Sequence, residues 1–412
     1  MRAEKVLWGL VVFAVVLGCI PIWAQALPQN GVAEIDTLFA SAVQAGTVPG
    51  VVAIVASKDR ILYYGASGLM DVARRKPMQK DAIFRIASMT KPLTAVSIMM
   101  LQEEGKLSVE DPVSKYIPAL KSPQVVASYN KNTRTYTTRK ATQPLLIRHL
   151  LTNTSGFGYA FSNYVLKGMR ERTGKPTEQL PLLHEPGSQW TYGMSAKLLG
   201  QIVEKVSGVS LDQFFSNRIL APLDMQDTFY LVPDEKHDRL VTTHHRVKGR
   251  LTETPNPVRV GSRAAGDGGL FSTAADYVRF LQMLLNDGQW HESALLSKES
   301  VYAMTTNQIG DVVVQTQQST DPAQSNSFPF GAGRDKFGFG FQITAWNEEN
   351  PALRSAGSYS WGGTYNTHFW VDRKRQIAAV ILMQVSPFYD DRCIQLYRDF
   401  EQIIGRNLRL IE

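Results

Sequence analysis

Segments typical of β-strands lie near both ends of this 412-residue chain, and segments typical of helices lie between them. Residues 51–56 and 60–64 flank a short polar turn and predict a β-hairpin. Three later segments also favour strands: 337–343, 365–371 and 376–383. Apolar residues recur at helical spacing in six segments: 31–46, 145–152, 195–207, 211–220, 273–286 and 390–404. This order predicts an α/β protein whose single mixed sheet is completed by both ends of the chain.

The same order predicts how the chain divides into domains. We expect residues 27–105 and 265–412 to form the sheet domain, with residues 106–264 inserted as a mostly helical domain. Residues 310–333 are polar and contain several turn-forming residues, which indicates a loop.

The first 26 residues have the pattern of a signal peptide. Arg2 and Lys5 precede the apolar run 6–20, and an Ala-Gln-Ala segment ending at Ala26 follows it. We expect cleavage after Ala26 and a periplasmic or secreted mature protein. A lipoprotein signal, in which Cys19 would be lipidated, is the alternative.

The composition excludes several classes of protein. Hydrophobic residues make up 44% of the chain and charged residues 20%, which is typical of a globular protein and excludes disorder, collagen and coiled coil. The net charge of +7 is spread along the chain, so we expect no nucleic-acid partner. No stretch after residue 26 approaches the roughly 20 apolar residues of a membrane helix, so we expect no stable membrane insertion after signal cleavage.

Cysteine and histidine give no sign of a metal or redox site. Removal of the signal peptide leaves Cys393 as a single cysteine, which cannot form an internal disulfide. The seven histidines show no metal-ligand spacing, since the adjacent pair His244 and His245 cannot share a helical face. We therefore expect no metal and no cofactor. The oligomeric state is left open.

The pattern Ser-x-x-Lys occurs twice, and its surroundings separate the two occurrences. Ser128 and Lys131 lie in a polar segment without apolar periodicity, whereas Ser88 and Lys91 open a segment with the pattern of a buried helix. A serine in the first helical turn faces backbone dipoles that stabilise an oxyanion. A buried lysine on the same face can lose its charge and accept the serine proton. Ser88 and Lys91 are therefore a candidate nucleophile and base, although an N-capping serine beside a solvated lysine gives the same pattern.

Two further motifs follow along the chain. Tyr192-Gly193-Met194 stands in a turn before the predicted helix 195–207. Trp361-Gly362-Gly363-Thr364 stands between strand candidates, where paired glycines indicate a backbone that another group approaches closely. His368, a few residues later, is a candidate for lining the same pocket.

In this order the three motifs resemble those of the serine β-lactamase and penicillin-binding-protein superfamily. Ser88-Met89-Thr90-Lys91, Tyr192-Gly193-Met194 and Trp361-Gly362-Gly363 are most similar to the motifs of class C β-lactamase-like esterases, the family VIII carboxylesterases. The resemblance spans residues 31–405. It implies an α/β fold with a β-lactamase-like mixed antiparallel sheet flanked by helices and an inserted, mostly helical domain.

The resemblance also implies a role for each matching residue. Ser88 would be the nucleophile that forms an acyl-enzyme, Lys91 would lower the barrier to its deprotonation, and Tyr192 would be the general base or proton shuttle. The backbone amides of Ser88 and Thr364 would form the oxyanion hole. Whether Lys91 or Tyr192 takes the first proton is left open.

The chain departs from the lactamase pattern at two positions. Lactamases of this class carry Asn where this chain has Met194, and Lys-Thr-Gly where it has Trp361-Gly362-Gly363. A lactam carboxylate would therefore lose a charge-assisted partner. We assign Trp361, Gly362, Gly363 and Met194 to the substrate-binding site and expect a preference for uncharged esters.

The expected function is that of an exported serine hydrolase, which cleaves carboxylic esters through an acyl-serine intermediate. Its expected partner is a small-molecule ester or acyl substrate. Several alternatives remain open: a β-lactamase, a D-amino-acid peptidase or carboxypeptidase, an acyltransferase, or a non-catalytic penicillin-binding domain. The sequence leaves the natural substrate and the acyl-chain preference open.

Overall fold

The computed structural model describes residues 27–345 and 352–408. The predicted signal peptide, residues 1–26, lies outside the described residues. The strands, in chain order, are β1 (Gly50–Ala56), β2 (Ile61–Asp71), β3 (Lys76–Pro77), β4 (Phe84–Arg85), β5 (Gln124–Tyr129), β6 (Tyr136–Lys140), β7 (Thr243–Val247), β8 (Arg250–Thr254), β9 (Phe271–Ser272), β10 (Gln289–Trp290), β11 (Ser293–Ala294), β12 (Lys336–Phe337), β13 (Gln342–Ile343), β14 (Tyr359–Gly363), β15 (Thr367–Asp372), β16 (Ile377–Leu382) and β17 (Val385–Ser386).

The α-helices of the described residues lie both between these strands and at the two ends. They are α1 (Gln29–Gln44), α2 (Thr90–Glu103), α3 (Ile147–Leu151), α4 (Tyr164–Thr173), α5 (Ser195–Ser207), α6 (Leu211–Phe215), α7 (Ala274–Leu285), α8 (Lys298–Met304) and α9 (Asp391–Asn407). A single π-helical segment, Ser216–Leu220, continues α6.

The central sheet has eight strands in the order β12-β13-β14-β15-β16-β1-β2-β3, and its neighbouring strands are antiparallel. β1 and β2 form the predicted hairpin. β1, near the N-terminus, also pairs with β16, near the C-terminus, so that Ile54 lies opposite Val380. The prediction of one sheet completed by both ends of the chain is therefore confirmed. The parallel pairing lies elsewhere, between β17 and β7 in a small three-stranded sheet.

The central strands are buried on both faces. Successive side chains of a strand point to opposite sides. Val51, Ala53 and Val55 of β1 accordingly pack in one cluster with apolar residues of α1 and α9. Val52 and Ile54 belong to the other cluster, which includes residues of α2 and α7. Fully burying a side chain of this kind contributes about 1.5–3 kcal/mol, so the two helical layers stabilise the same sheet.

Residues 106–264 contain more than helices. α3, α5 and α6 lie in this segment as predicted, but the helix α4, which was not predicted, and the hairpins β5–β6 and β7–β8 lie there as well. The side chains of β6 are mostly exposed and lack an apolar pattern, so its sequence gives no sign of a strand. One continuous apolar cluster includes residues of α3, α5 and α6 together with residues of α2 and the sheet, such as Leu199, Leu93 and Val52. The buried residues of α4 form a smaller cluster of their own. The division into two domains stays a prediction.

None of the helices within residues 27–345 and 352–408 is long and apolar enough to cross a membrane.

Candidate active site

Ser88 lies in a tight turn that leads directly into a buried helix. The 3₁₀ turn Ala87–Met89 precedes α2, and α2 is buried from Thr90 to Leu101. Ala87 has a φ of 44°, in the left-handed region that non-glycine residues rarely adopt and that strains the backbone. The Met89 carbonyl oxygen accepts a 2.9 Å hydrogen bond from the buried Tyr277 hydroxyl. The turn therefore holds Ser88 at the N-terminus of α2, where the helix dipole favours negative charge.

Two polar side chains meet the Ser88 hydroxyl. The Tyr192 hydroxyl lies 2.7 Å from Ser88 Oγ, and Lys91 Nζ lies 3.0 Å from the same atom. Lys91 Nζ also lies 4.9 Å from the centre of the Tyr192 ring. The structure thus brings together the three residues predicted as the catalytic group, although they are separated by up to 104 positions in sequence. Their catalytic roles stay predictions.

A second tyrosine and an aspartate hold Lys91 in place, and sequence reasoning missed both. Lys91 Nζ donates a 2.7 Å hydrogen bond to the backbone carbonyl of Asp267. The Tyr159 hydroxyl donates a 2.7 Å bond to Asp267 Oδ2. Burial, with the nearby Asp267 and Tyr192, raises the pKa of Tyr159 well above its ordinary value, so this hydroxyl stays protonated as a donor. No motif marks either residue, because their proximity to Lys91 comes from the tertiary fold.

Residues 310–333, which we expected to form a polar loop, contact Tyr192. Gln317 is buried, and its Oε1 atom accepts a 3.2 Å hydrogen bond from the Tyr192 backbone N–H. The Phe328 ring meets the Tyr192 ring edge to face, with 5.5 Å between centroids. Residues 310–333 therefore contribute to the site although their composition predicted only a loop.

Gly363 explains why the third motif contains paired glycines. A Cβ atom added at Gly363 would lie 2.3 Å from the Ile86 carbonyl oxygen, closer than any real contact allows. β14 can therefore approach the Ser88 turn only because position 363 has no side chain. Thr364, the next residue, lines the same cleft as Ser88. The oxyanion hole predicted from the backbone amides of Ser88 and Thr364 stays a prediction.

Ser88 opens into a cleft of about 550 Å³. Tyr159 and Tyr192 line the cleft with it, and apolar wall is supplied by Phe161, Val260, Leu270 and Phe388. A volume of this order accommodates a drug-sized organic molecule. The cleft is therefore large enough for an acyl group together with a second substrate group.

Trp361 packs against Tyr192, Met194 is buried, and neither residue lines this cleft. Among the described residues that line the cleft, neither Trp361, Met194, Gly362 nor Gly363 is present. Trp361 is 6% exposed and Met194 4% exposed, and the Trp361 ring lies 4.9 Å from the Tyr192 ring. The cleft therefore gives no support to the assignment of these four residues to the substrate-binding site, which stays a prediction. Motif position alone did not show that Trp361 turns toward Phe337 and Trp190, where it completes an aromatic cluster.

We expect Trp361→Ala to lower the free energy of unfolding by about 3–5 kcal/mol, because truncating a buried aromatic side chain leaves a cavity. Urea denaturation measures the loss. Trp290→Ala is the matched control and should lower the free energy of unfolding by less, because Trp290 is only half-buried on β10. Equal losses for the two variants would contradict a packing role for Trp361.

The remaining sequence candidates lie outside the cleft. Ser128 is exposed on β5 and its hydroxyl pairs with that of Thr137 at 2.7 Å, while Lys131 is exposed in the following turn. His368 is buried and stacks on Tyr397, with 4.6 Å between ring centroids. Burial, assisted by the Arg354 charge, lowers the pKa of His368 to about 3, so its ring is neutral. In the described part of the chain, no group of three His, Cys, Asp or Glu side chains is arranged to hold a metal ion.

The geometry is suited to nucleophilic chemistry at a carbonyl carbon. A hydroxyl within hydrogen-bond distance of a lysine and a tyrosine can lose its proton as it attacks. An antiparallel sheet flanked by helices, with such a serine at a helix N-terminus, defines the class of serine hydrolases and acyltransferases with the β-lactamase-like fold. The family profile named Beta-lactamase matches residues 35–403. The chain belongs to this family.

Relatives of the chain include both hydrolytic and transferring enzymes. Protein Rv1367c of Mycobacterium tuberculosis is 33% identical, over 83% of this chain and 87% of its own. ML-236A carboxylate methylbutanoyltransferase of Penicillium citrinum is 27% identical, over 90% of this chain and 93% of its own. Esterase EstB of Burkholderia gladioli is also 27% identical, over 86% and 90%. Among solved structures, a mutant of simvastatin synthase (LovD) from Aspergillus terreus matches with a TM-score of 0.78 and 25% identity, covering 92% of this chain and 95% of its own.

Proposed function

We propose that this protein hydrolyses carboxylic esters through an acyl-serine intermediate on Ser88. The observation that carries the proposal is the position of Ser88 Oγ, 2.7 Å from the Tyr192 hydroxyl and 3.0 Å from Lys91 Nζ, at the base of an open, partly apolar cleft. Esterase EstB among the relatives supports this choice of reaction.

The reaction proceeds in two steps. In the first, Ser88 Oγ bonds to the ester carbonyl carbon while its proton passes to the Tyr192 and Lys91 pair, which returns a proton to the departing alcohol. In the second, a water molecule attacks the acyl-serine and restores the Ser88 hydroxyl. The Ser88 and Thr364 amides would stabilise the oxyanion in both steps, a contribution of about 2.7–4 kcal/mol for one well-placed donor.

Acyl transfer is the second candidate, and a relative favours it. The name of the Penicillium citrinum relative describes it as a methylbutanoyltransferase. Transfer uses the same acyl-serine, but an alcohol replaces water in the second step. The cleft has room for such an acceptor beside the acyl group.

A parallel rate screen tests both candidates. We expect para-nitrophenyl esters of short and medium acids to be hydrolysed faster than a chromogenic cephalosporin, with a Ser88→Ala sample as the blank. Adding an alcohol acceptor and identifying products by mass spectrometry then separates transfer from hydrolysis. Faster turnover of the cephalosporin would identify a lactamase, and no turnover of any ester would overturn the proposal.

We also propose that the protein is exported and that its mature N-terminus is Leu27, as the Ala-Gln-Ala segment ending at Ala26 predicts. Mass spectrometry of the N-terminal peptide of periplasmic or secreted material measures this directly. A lipid-modified Cys19 at the N-terminus would contradict cleavage after Ala26.

A further inference from the structure

One arginine in the cleft has no carboxylate partner. Arg85 lines the cleft with Ser88, and among the described residues no Asp or Glu oxygen lies within ion-pair distance of its guanidinium group. Its close neighbour is Tyr365, whose ring centroid lies 4.7 Å from the guanidinium carbon and whose side chain also forms a hydrogen bond with the guanidinium group. Arg85 is half-buried, and burial lowers the pKa of its guanidinium group, although an arginine stays charged at neutral pH.

Other buried or half-buried arginines of the described chain differ from Arg85 in this respect. Arg246 pairs with Asp390, Arg354 with Glu401 and Arg375 with Asp372, at distances of 2.7 Å each. Withdrawing a charge from water is costly unless an opposite charge compensates it. The fold supplies that compensation elsewhere and leaves Arg85 without it.

Two hydrogen bonds hold the backbone of Arg85 in place, so the position from which its side chain extends is fixed. The Arg85 N–H donates to Gln384 Oε1 and the Arg85 carbonyl accepts from Gln384 Nε2, both at 3.1 Å. Phe84 and Ile86 on either side are fully buried, and in an extended segment Arg85 points to the opposite side, toward the cleft. The cation is therefore positioned before any substrate arrives.

The second arginine of the cleft provides a contrast. Arg263 also lines the cleft, but its guanidinium group bonds to the Glu204 carboxylate and its side chain is 71% exposed. The Asp267 carboxylate, in turn, accepts the Tyr159 hydroxyl. Arg85 is thus a guanidinium group of the described cleft that lies beside Tyr365 and has no carboxylate partner.

We propose that Arg85 binds a carboxylate carried by the substrate at a distance from the reacting ester bond. The preferred substrates are then esters that bear a free carboxylate. This inference rests on the proposed function and revises the expectation of uncharged esters, which depended on finding no cation at position 361. A guanidinium group can hold a carboxylate through two parallel hydrogen bonds.

Two matched pairs of substrates test the proposal in the full-length enzyme. The first pair, mono-para-nitrophenyl adipate and para-nitrophenyl hexanoate, differs by a carboxylate on the acyl chain. The second pair, 4-acetoxybenzoate and its methyl ester, differs by a carboxylate on the leaving group. The measured quantity is the ratio of kcat/KM for the charged member to that for the neutral member.

We expect Arg85→Gln to lower this ratio by about 10- to 150-fold in at least one pair, the range of a charge-assisted hydrogen bond. Arg85→Lys keeps the positive charge but cannot form two parallel hydrogen bonds to a carboxylate. Its kcat/KM ratio should therefore lie between those of wild type and Arg85→Gln. Arg263→Gln is the matched control and should change the ratio by no more than about fivefold, because an exposed, already paired charge contributes little.

The outcomes separate this inference from the proposed function. If wild type hydrolyses neither member of either pair, the proposed function fails. If wild type hydrolyses them and Arg85→Gln leaves both ratios unchanged, or Arg263→Gln lowers them equally, Arg85 is not the carboxylate site. Thermal unfolding of each variant, with its ratio measured below the melting temperature, excludes loss of folding as the cause.

Discussion

Ser88→Ala is expected to abolish ester hydrolysis, with a loss in kcat of about 10⁴- to 10⁶-fold, as for removal of the nucleophile in other serine enzymes. The physical reason is that no other hydroxyl in the described cleft is held between Lys91 and Tyr192. Release of para-nitrophenol measures the rate. Ser128→Ala, which alters the other Ser-x-x-Lys pattern, is the control and should retain wild-type turnover because Ser128 is exposed on β5.

Covalent labelling provides an independent check of the same residue. A fluorophosphonate should add to Ser88 Oγ, and peptide mass spectrometry should find the adduct there. Ser155 is buried and bonds to Ser195, and Ser360 lies on β14 directly before Trp361. An adduct on either residue would show that the nucleophile has been misassigned.

Tyr192→Phe and Lys91→Ala are each expected to lower kcat by about 10²- to 10⁴-fold, the contribution of a positioned acid–base group. Tyr192→Phe removes only the hydroxyl that lies 2.7 Å from Ser88 Oγ, and the ring can keep its contacts with Phe328 and Trp361. Lys91→Ala removes the amine that connects Ser88 to the Asp267 carbonyl. Steady-state kinetics on one para-nitrophenyl ester compares the two variants.

The double variant shows whether Lys91 and Tyr192 act together. Groups that act as one unit give losses that are far from additive. Since both atoms bond to the same Ser88 oxygen, Lys91→Ala with Tyr192→Phe should be little slower than the slower single variant. Losses that multiply would instead show that the two residues serve separate steps.

Local patterns were sufficient where a segment's neighbours in sequence decide its structure. The turn of the hairpin between β1 and β2, the helix α5 and the N-terminus of α7 at Thr273 were all predicted within a few residues, although β2 continues to Asp71, beyond the predicted segment 60–64. The predicted strand 337–343 is instead two short strands, β12 and β13, because Gly338 and Gly340 allow a tight turn between them. A short apolar run cannot show such a turn by periodicity alone.

The candidate site was predicted only in part, because its residues meet through the tertiary fold. Ser88, Lys91 and Tyr192 lie in motifs with fixed spacing and could be found in the sequence. Tyr159 carries no such pattern and meets Asp267 only through the tertiary fold. Arg85 lies three residues before Ser88, but the sequence does not show that its side chain lines the cleft. The burial of Trp361 could not be predicted either, since a motif specifies a position along β14 but not the surroundings of its side chain.

The pairing of β1 with β16 determines when this protein can fold. During synthesis, β1 and β2 emerge early, but the partner on the other side of β1 is complete only after residue 382. Until then the β1 edge presents unpaired backbone groups and apolar side chains, which favour association with other chains. Contacts between residues so distant in sequence also slow folding. A nascent chain halted before β16 is therefore an aggregation-prone species that lacks the central pair of its sheet.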